Sequence, residues 1–146
     1  MFRGNCPTRL DEKGRLKMPA DFKHEIDKYD DGQLYITSRD GKVIQLYPMK
    51  EWEAIEAVAA AQPTSNQAVQ RFLTVTSYYG QVVALDNQGR LTIAERLRKE
   101  FNLDGEVCVL GKPKFLEIHV KGDLDAAVKS SLPTPEDMDE LARVGI

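Results

Sequence analysis

Asp11-Glu12-Lys13-Gly14-Arg15-Leu16 returns as Asp86-Asn87-Gln88-Gly89-Arg90-Leu91, 75 positions further along a chain of 146 residues. The shared pattern is Asp-x-x-Gly-Arg-Leu, and an offset of half the chain says that one small unit is used twice. In each copy the Asp suits the opening of a type I turn, and the Gly supplies the left-handed residue of a bulge. Together they have the chemistry of a three-residue hairpin loop. The residues that follow, Arg15-Leu16-Lys17-Met18 and Arg90-Leu91-Thr92-Ile93, alternate polar and apolar as a half-buried strand does.

The flanks extend the repeat. Phe2 to Leu10 reads as an extended segment leading into the first turn. After the return strand, Pro19 suits the first turn of a helix, and Phe22, Ile26 and Tyr29 give that helix an apolar stripe. Asp31-Gly32 breaks it. Leu34–Thr37 and Val43–Tyr47 then form a second hairpin around Ser38–Gly41. In the second unit Gln81–Leu85 is the leading strand and Ala94–Phe101 the short helix. Val107–Leu110 and Phe115–His119 repeat the second hairpin at an offset that slips to 73 and then 72. Met49–Gln62 predicts the clearest helix, with Trp52, Ile55, Val58 and Ala59 on one face. Ala68–Tyr79 predicts another, with Val69, Phe72 and Leu73 inward. Asp123–Ser130 stands in the second half where Trp52–Val58 stands in the first. From Pro133 the tail is polar, acidic and Pro-punctuated, and is expected to be only partly ordered.

A unit of about 45 residues is too small to bury a good core alone. Two such units are therefore expected to pack face to face with interleaved strands, giving an α+β protein with a mainly β core. The expected organisation is a first unit over 1–48, a helical connection over 49–80, a second unit over 81–121 and a C-terminal helix and acidic tail over 122–146.

Composition is that of an ordinary soluble globular chain, 42% hydrophobic and 29% charged. No apolar run approaches the roughly 20 residues that span a bilayer. The N-terminus lacks the apolar stretch of a signal peptide, so a cytosolic location is expected. Cys6 and Cys108 have no metal-like neighbours and read as reduced thiols. The net charge is −3, which alone argues mildly against a non-specific nucleic-acid binder. The distribution is uneven, however. Residues 1–23 carry Arg3, Arg9, Lys13, Arg15, Lys17 and Lys23 against Asp11, Glu12 and Asp21, whereas the tail is acidic.

The nucleophile-elbow, Walker, dinucleotide and zinc-protease motifs are all missing. His24 and His119 have no ligand-like partners at fixed spacing, so neither a catalytic residue nor a metal or other cofactor is expected. Trp52, Tyr78 and Tyr79 fit core or subunit contacts better than base stacking. The two arginines are different. Asp11, Gly14, Asp86 and Gly89 suffice to make the turns; nothing in turn chemistry requires Arg15 and Arg90 as well. Arg9, Lys13 and Lys17 surround the first copy. A hairpin carrying several cations suits a β-ribbon reader of a DNA groove, in which Arg grips guanine bidentately and Lys holds phosphate.

Met1-Phe2-Arg3-Gly4-Asn5, the two Asp-x-x-Gly-Arg-Leu copies, Pro19, Leu46-Tyr47-Pro48 with Glu51-Trp52, and Val69-Gln70-Arg71-Phe72 form an ordered series. Leu97-Arg98, Leu103, Val109-Leu110-Gly111 and Phe115-Leu116-Glu117-Ile118 continue it. The series resembles the MraZ family up to about residue 125. That resemblance implies tandem swapped-hairpin, AbrB-like β-α-β units forming a pseudo-two-fold barrel with flanking helices. It also implies a nucleoid-associated transcriptional regulator of double-stranded DNA that binds short direct repeats upstream of its own operon, at the head of the division and cell-wall gene cluster. Self-association into a ring of about eight or more subunits is implied too. The DNA-binding residues on this view are Arg15 and Arg90, with Arg9, Lys13, Lys17 and Arg3 in support, and Arg15 ranks first because its copy is the more basic. Two positions depart from the family pattern: Ala94 stands where Pro19 stands in the first unit, and His119 ends the last strand in place of an aromatic. An antitoxin-like protein-interaction module is the alternative reading, suited by the acidic tail and the apolar helix over 49–60.

Overall fold

The computed structural model describes residues 1–146. In chain order the elements are β1 (Asn5–Arg9), β2 (Arg15–Lys17), α1 (Ala20–Ile26), β3 (Gln33–Thr37), β4 (Ile44–Pro48), α2 (Met49–Ala60) and α3 (Gln67–Tyr78). There follow β5 (Gln81–Ala84), β6 (Arg90–Thr92), α4 (Glu95–Glu100), β7 (Glu106–Lys112), β8 (Phe115–Val120), α5 (Lys121–Ser130) and α6 (Pro135–Arg143). The two units therefore repeat as β-β-α-β-β and then two helices. Ala94 opens α4 with φ −56° and ψ 143°, almost identical to Pro19 before α1 at −55° and 142°. The departure from proline leaves the helix start unchanged.

Six strands form one sheet in the order β1-β7-β8-β4-β3-β5, and β2 pairs with β6 in a separate two-stranded ribbon. Exchanging the two units reverses the sheet order onto itself, so the chain has a pseudo-two-fold axis. The axis passes between β4 and β8, where Gln45 stands opposite Glu117. Each unit lends its first strand to the other: β1 pairs with β7, and β5 with β3. The ladders do not close into a barrel.

One expectation is corrected. The first turn does not join two strands of a local hairpin. Its chemistry is as read: Gly14 N–H donates to the Asp11 carbonyl at 3.0 Å and Asp11 N–H to the Arg15 carbonyl at 3.0 Å. Only a single bridge, Leu10 to Leu16, links β1 to β2 before the two diverge to partners in the other unit. The second turn behaves alike, with β5 and β6 going to β3 and β2. The physical reason is burial. A three-residue strand hides its one inward side chain only against an equivalent strand, and Leu16 and Leu91 face each other across the ribbon with no exposure at all.

The core is a single cluster drawn from both units. Repeat-related positions are buried together: Leu16 and Leu91, Met18 and Ile93, Phe22 and Leu97, Ile26 and Phe101, then Ile36 and Val109. Trp52 is buried as expected, stacked on Tyr35 with ring centroids 5.0 Å apart and packed against Tyr47 at 5.0 Å. Val58, by contrast, faces solvent. Helix α3 is held to the sheet by the Thr76 carbonyl, which accepts from Tyr35 Oη at 3.0 Å and Thr37 Oγ1 at 2.7 Å.

The tail also differs from expectation. Thr134 and Asp137 make a reciprocal capping box, and Pro135 occupies the first turn, so α6 is a well-capped helix. It buries no residue. No helix of the chain is long and apolar enough to cross a membrane.

Candidate nucleic-acid interface

The two turns have nearly the same geometry. Asp11 Oδ1 accepts from the backbone N–H groups of Lys13 at 3.0 Å and Arg15 at 2.9 Å, while its Oδ2 accepts from Arg15 Nε at 2.7 Å. Asp86 Oδ1 accepts from Gln88 N–H at 2.8 Å and Arg90 N–H at 2.9 Å, and its Oδ2 from Arg90 Nε at 3.0 Å. Gly14 and Gly89 have φ of +78° and +71°, a conformation that side chains with a Cβ rarely adopt. The aspartate thus has two functions. One oxygen closes the turn and the other orients the guanidinium through Nε. No hydrogen bond in the chain engages Nη1 or Nη2 of either arginine, so both keep a planar fork free.

The free forks lie on one face. In the ribbon Arg15 stands opposite Thr92, Leu16 opposite Leu91 and Lys17 opposite Arg90. With both leucines buried, period-two alternation places Arg15, Lys17, Arg90 and Thr92 together on the outer face. Arg15 and Arg90 are diagonal neighbours, a relation that separates Cα atoms by roughly 7–8 Å. Their side chains are 30% and 28% exposed, partly sheltered but reachable.

Cross-unit pairing redistributes the other cations. Lys17 follows Arg15 in sequence, yet it sits opposite Arg90 and its Nζ donates to the Gln88 carbonyl. Two residues outside the sequence-based candidates join the site. Arg98 of α4 donates from Nε to the Ile93 carbonyl at 3.0 Å, and its guanidinium covers Gly14, where a Cβ would collide with it. Lys23 of α1 lays its aliphatic stem over Gly89, with Cδ and Cε 3.3 and 3.4 Å from where a Cβ would stand, while its Nζ donates to Asp27 Oδ2 at 2.7 Å. Residues 23 and 98 are separated by 75 positions, the offset of the turns themselves. That spacing was the signal that could have found them.

Lys13 is exposed at the tip of the first turn. Arg9 ends β1 just before that turn and forms an exposed ion pair with Glu106 at 3.3 Å. Arg3 is not brought to the ribbon. It precedes β1 at the end far from the turn, with its backbone against Gly111. The bend at Gly4 (φ +97°) and the strand Asn5–Arg9 separate it from the turn, the strand alone spanning about 13 Å at roughly 3.3 Å per residue. His119 Nε2 lies 3.0 Å from Glu117 Oε1 in the sheet, remote from the ribbon in sequence and register. No cluster of three or more metal-ligating side chains occurs.

Both turn carboxyls are held below the ordinary aspartate value of 3.8, first by the backbone N–H of the following arginine. A depressed native pKa contributes stability that is fully present above the unfolded value and is lost as pH falls through the native one. The stabilisation from the two turns should therefore be fully present above 3.8 and be lost only as pH falls through the lower native values of Asp11 and Asp86. Side-chain carboxyl chemical shifts should show Asp11 and Asp86 each titrating below the ordinary aspartate value of 3.8 on acidification. Titration of either at or above 3.8 would contradict the hydrogen-bonded turn.

A family model described as "MraZ protein, putative antitoxin-like" matches residues 1–75 and 80–129. The chain is 49% identical to a protein of Koribacter versatilis named "Transcriptional regulator MraZ", with both chains covered completely. A protein of the same name from Acidobacterium capsulatum is 44% identical, again over the whole of both chains. Another from Yersinia pseudotuberculosis is 30% identical over 97% of this chain and 99% of its own.

Proposed function

The chain belongs to the MraZ family, and from that premise we propose that it is a transcriptional regulator, not an enzyme, that binds double-stranded DNA with the outer face of the β2–β6 ribbon. The observation that carries this reading is the pair of aspartate-oriented arginines whose bidentate ends are free on one surface. Arg15 and Arg90 read base edges, and a guanidinium fork fits the two acceptors of guanine in the major groove. Lys13, Lys17, Lys23 and Arg98 hold phosphates or the rim, with Arg9 at the margin. The target is a set of short direct repeats upstream of its own operon. The crossed strand order supports taking units 1–48 and 81–121 as swapped hairpins.

The sequence ranked Arg15 first because its copy is richer in cations. In space the two sites are more nearly equal. Arg90 has Lys17 and Lys23 beside its turn, and Arg15 has Lys13 and Arg98. A net charge of −3 still makes binding by a single subunit weak. Homo-oligomerisation on tandem repeats supplies the missing affinity by raising effective concentration, by roughly 10² to 10⁴ in favourable geometry.

Titration of the full chain against its upstream duplex and a shuffled duplex, at several salt concentrations, tests the reading. The upstream duplex should bind more tightly. The logarithm of its binding constant should fall linearly with log salt, at a slope of about −0.9 per phosphate contacted. Equal binding to both duplexes, or none to either, overturns it. The second reading, a protein-interaction module, is favoured by the apolar groove beside α2 and α3. An adjacent toxin-sized reading frame would support it, whereas neighbouring division genes support the regulator.

A further inference from the structure

The repeat is broken at one place. Helices α2 and α3 follow the first unit, and α5 and α6 follow the second. α3 is docked on its own sheet through Thr76. α6 buries no side chain: Met138, Val144 and Ile146 are 56%, 63% and 84% exposed, and Leu141 is only half-buried. Met138, Leu141 and Val144 recur at spacing three and make one apolar stripe. A nine-residue helix is marginal in water without a surface to pack against, even with good caps.

The α2–α3 pair carries the opposite defect. Between these helices and the β7–β8 turn lies an open groove of about 760 Å³ whose apolar wall includes Tyr47, Ile55, Ala59, Phe72 and Phe115. Its exposed Val58 faces the same space. Two cations stand on it. The Arg39 guanidinium lies 5.3 Å above the Phe72 ring, and Lys114 comes from the β7–β8 turn. The one acidic residue in the wall, Glu51, is already engaged by Tyr29 Oη at 3.2 Å. α6 carries Glu136, Asp137, Asp139 and Glu140 against Arg143 alone. An unpartnered acidic amphipathic helix and an unfilled apolar groove bearing cations are complementary in shape class and in charge.

We propose that α6 of one copy seats its Met138–Leu141–Val144 stripe in the α2–α3 groove of a second copy. This inference deepens the self-association in the proposed function and rests on that part of it, not on the DNA contact. The contact is heterologous, because the donor helix and the acceptor groove are different surfaces. Every subunit then has one free donor and one free acceptor, so assembly continues until it closes on itself. A single helix in a groove buries little area, and closure makes the weak contacts cooperative.

The test is the mass of the full-length chain in solution, by light scattering without DNA, which keeps its failure distinct from failure of the ribbon contact. The wild type should exceed the single-chain mass of 16.4 kDa by several-fold. A Met138→Glu, Val144→Glu double variant, altered only at exposed positions, should fall to the single-chain mass. So should Val58→Glu in the groove. Mixed in equal amounts, the two variants retain one intact helix and one intact groove. They should form a species of about twice the single-chain mass and nothing larger. That recovery also shows both variants to be folded. A monomeric wild type, variants of unchanged mass, or a mixture that stays monomeric would each overturn the proposal.

Discussion

Arg15→Ala and Arg90→Ala are each expected to weaken binding to the upstream duplex by about tenfold to a hundredfold, following the roughly 1–3 kcal/mol that one bidentate guanine contact contributes. The loss should be much smaller on a shuffled duplex, because the fork reads bases and not phosphates. The two variants should also be similar in size of effect. Each arginine has the same aspartate clamp and comparable exposure, and pairing across the ribbon places Lys17 beside the arginine that is poorer in sequence neighbours. Lys17→Ala should behave differently. It should lower affinity for both duplexes alike and reduce the salt slope by about one contact. Asp11→Asn should keep an acceptor for the turn amides while releasing the ion pair with Arg15. Discrimination between duplexes should then fall more than total affinity. Arg3→Ala should change neither, since that side chain stands at the far end of β1. Competitive titration of these variants is the measurement. Equal loss on both duplexes for the arginine variants would mean that they serve only as phosphate contacts.

The second large effect concerns the fold. Leu91→Ala is expected to destabilise the protein by about 3–5 kcal/mol, the range for a large-to-small change at a fully buried site that cannot collapse. That is a large fraction of the roughly 5–15 kcal/mol of a typical domain. Leu16→Ala should have a similar effect, because the two leucines oppose each other in the ribbon. The informative part is where the loss is read. Trp52 belongs to the first half, packed between Tyr35 and Tyr47. Leu91 belongs to the second. With interleaved strands and one shared core, urea unfolding followed by Trp52 fluorescence should shift as much for Leu91→Ala as for Leu16→Ala. It should also coincide with the transition seen by circular dichroism. A Trp52 transition that Leu91→Ala leaves in place would mean two independent units.

Much of this was legible in the sequence. The doubled turn gave the repeat, and the repeat with too little core per unit gave the interleaving. Helix positions followed from apolar spacing to within a residue or two, except that α1 stops at Ile26, short of the expected Tyr29, and α6 was not expected. Pairing partners did not. Asp-x-x-Gly chemistry specifies a turn, and a turn reads as a local hairpin unless something outside the segment competes for the strands. Here the competitor is the other unit, which alone can cover Leu16. The same blindness hid Lys23 and Arg98, since helix residues enter the site only when each unit lays its helix over the other's turn. It also grouped Arg3 with the turn cations, whereas the bend at Gly4 and the strand Asn5–Arg9 set it at the other end of β1. The tail was misjudged because composition reports charge, whereas Thr134, Pro135 and Asp137 form a specific cap that outweighs it.

The central claim is that DNA lies on the outer face of the β2–β6 ribbon. Amide hydrogen exchange of the full chain with and without its upstream duplex tests it most directly. The account predicts new protection in residues 11–17 and 86–92 together, and none in the wall of the α2–α3 groove beyond what self-association gives without DNA. Protection confined to the groove, with both turns exchanging as they do in the free protein, would contradict it.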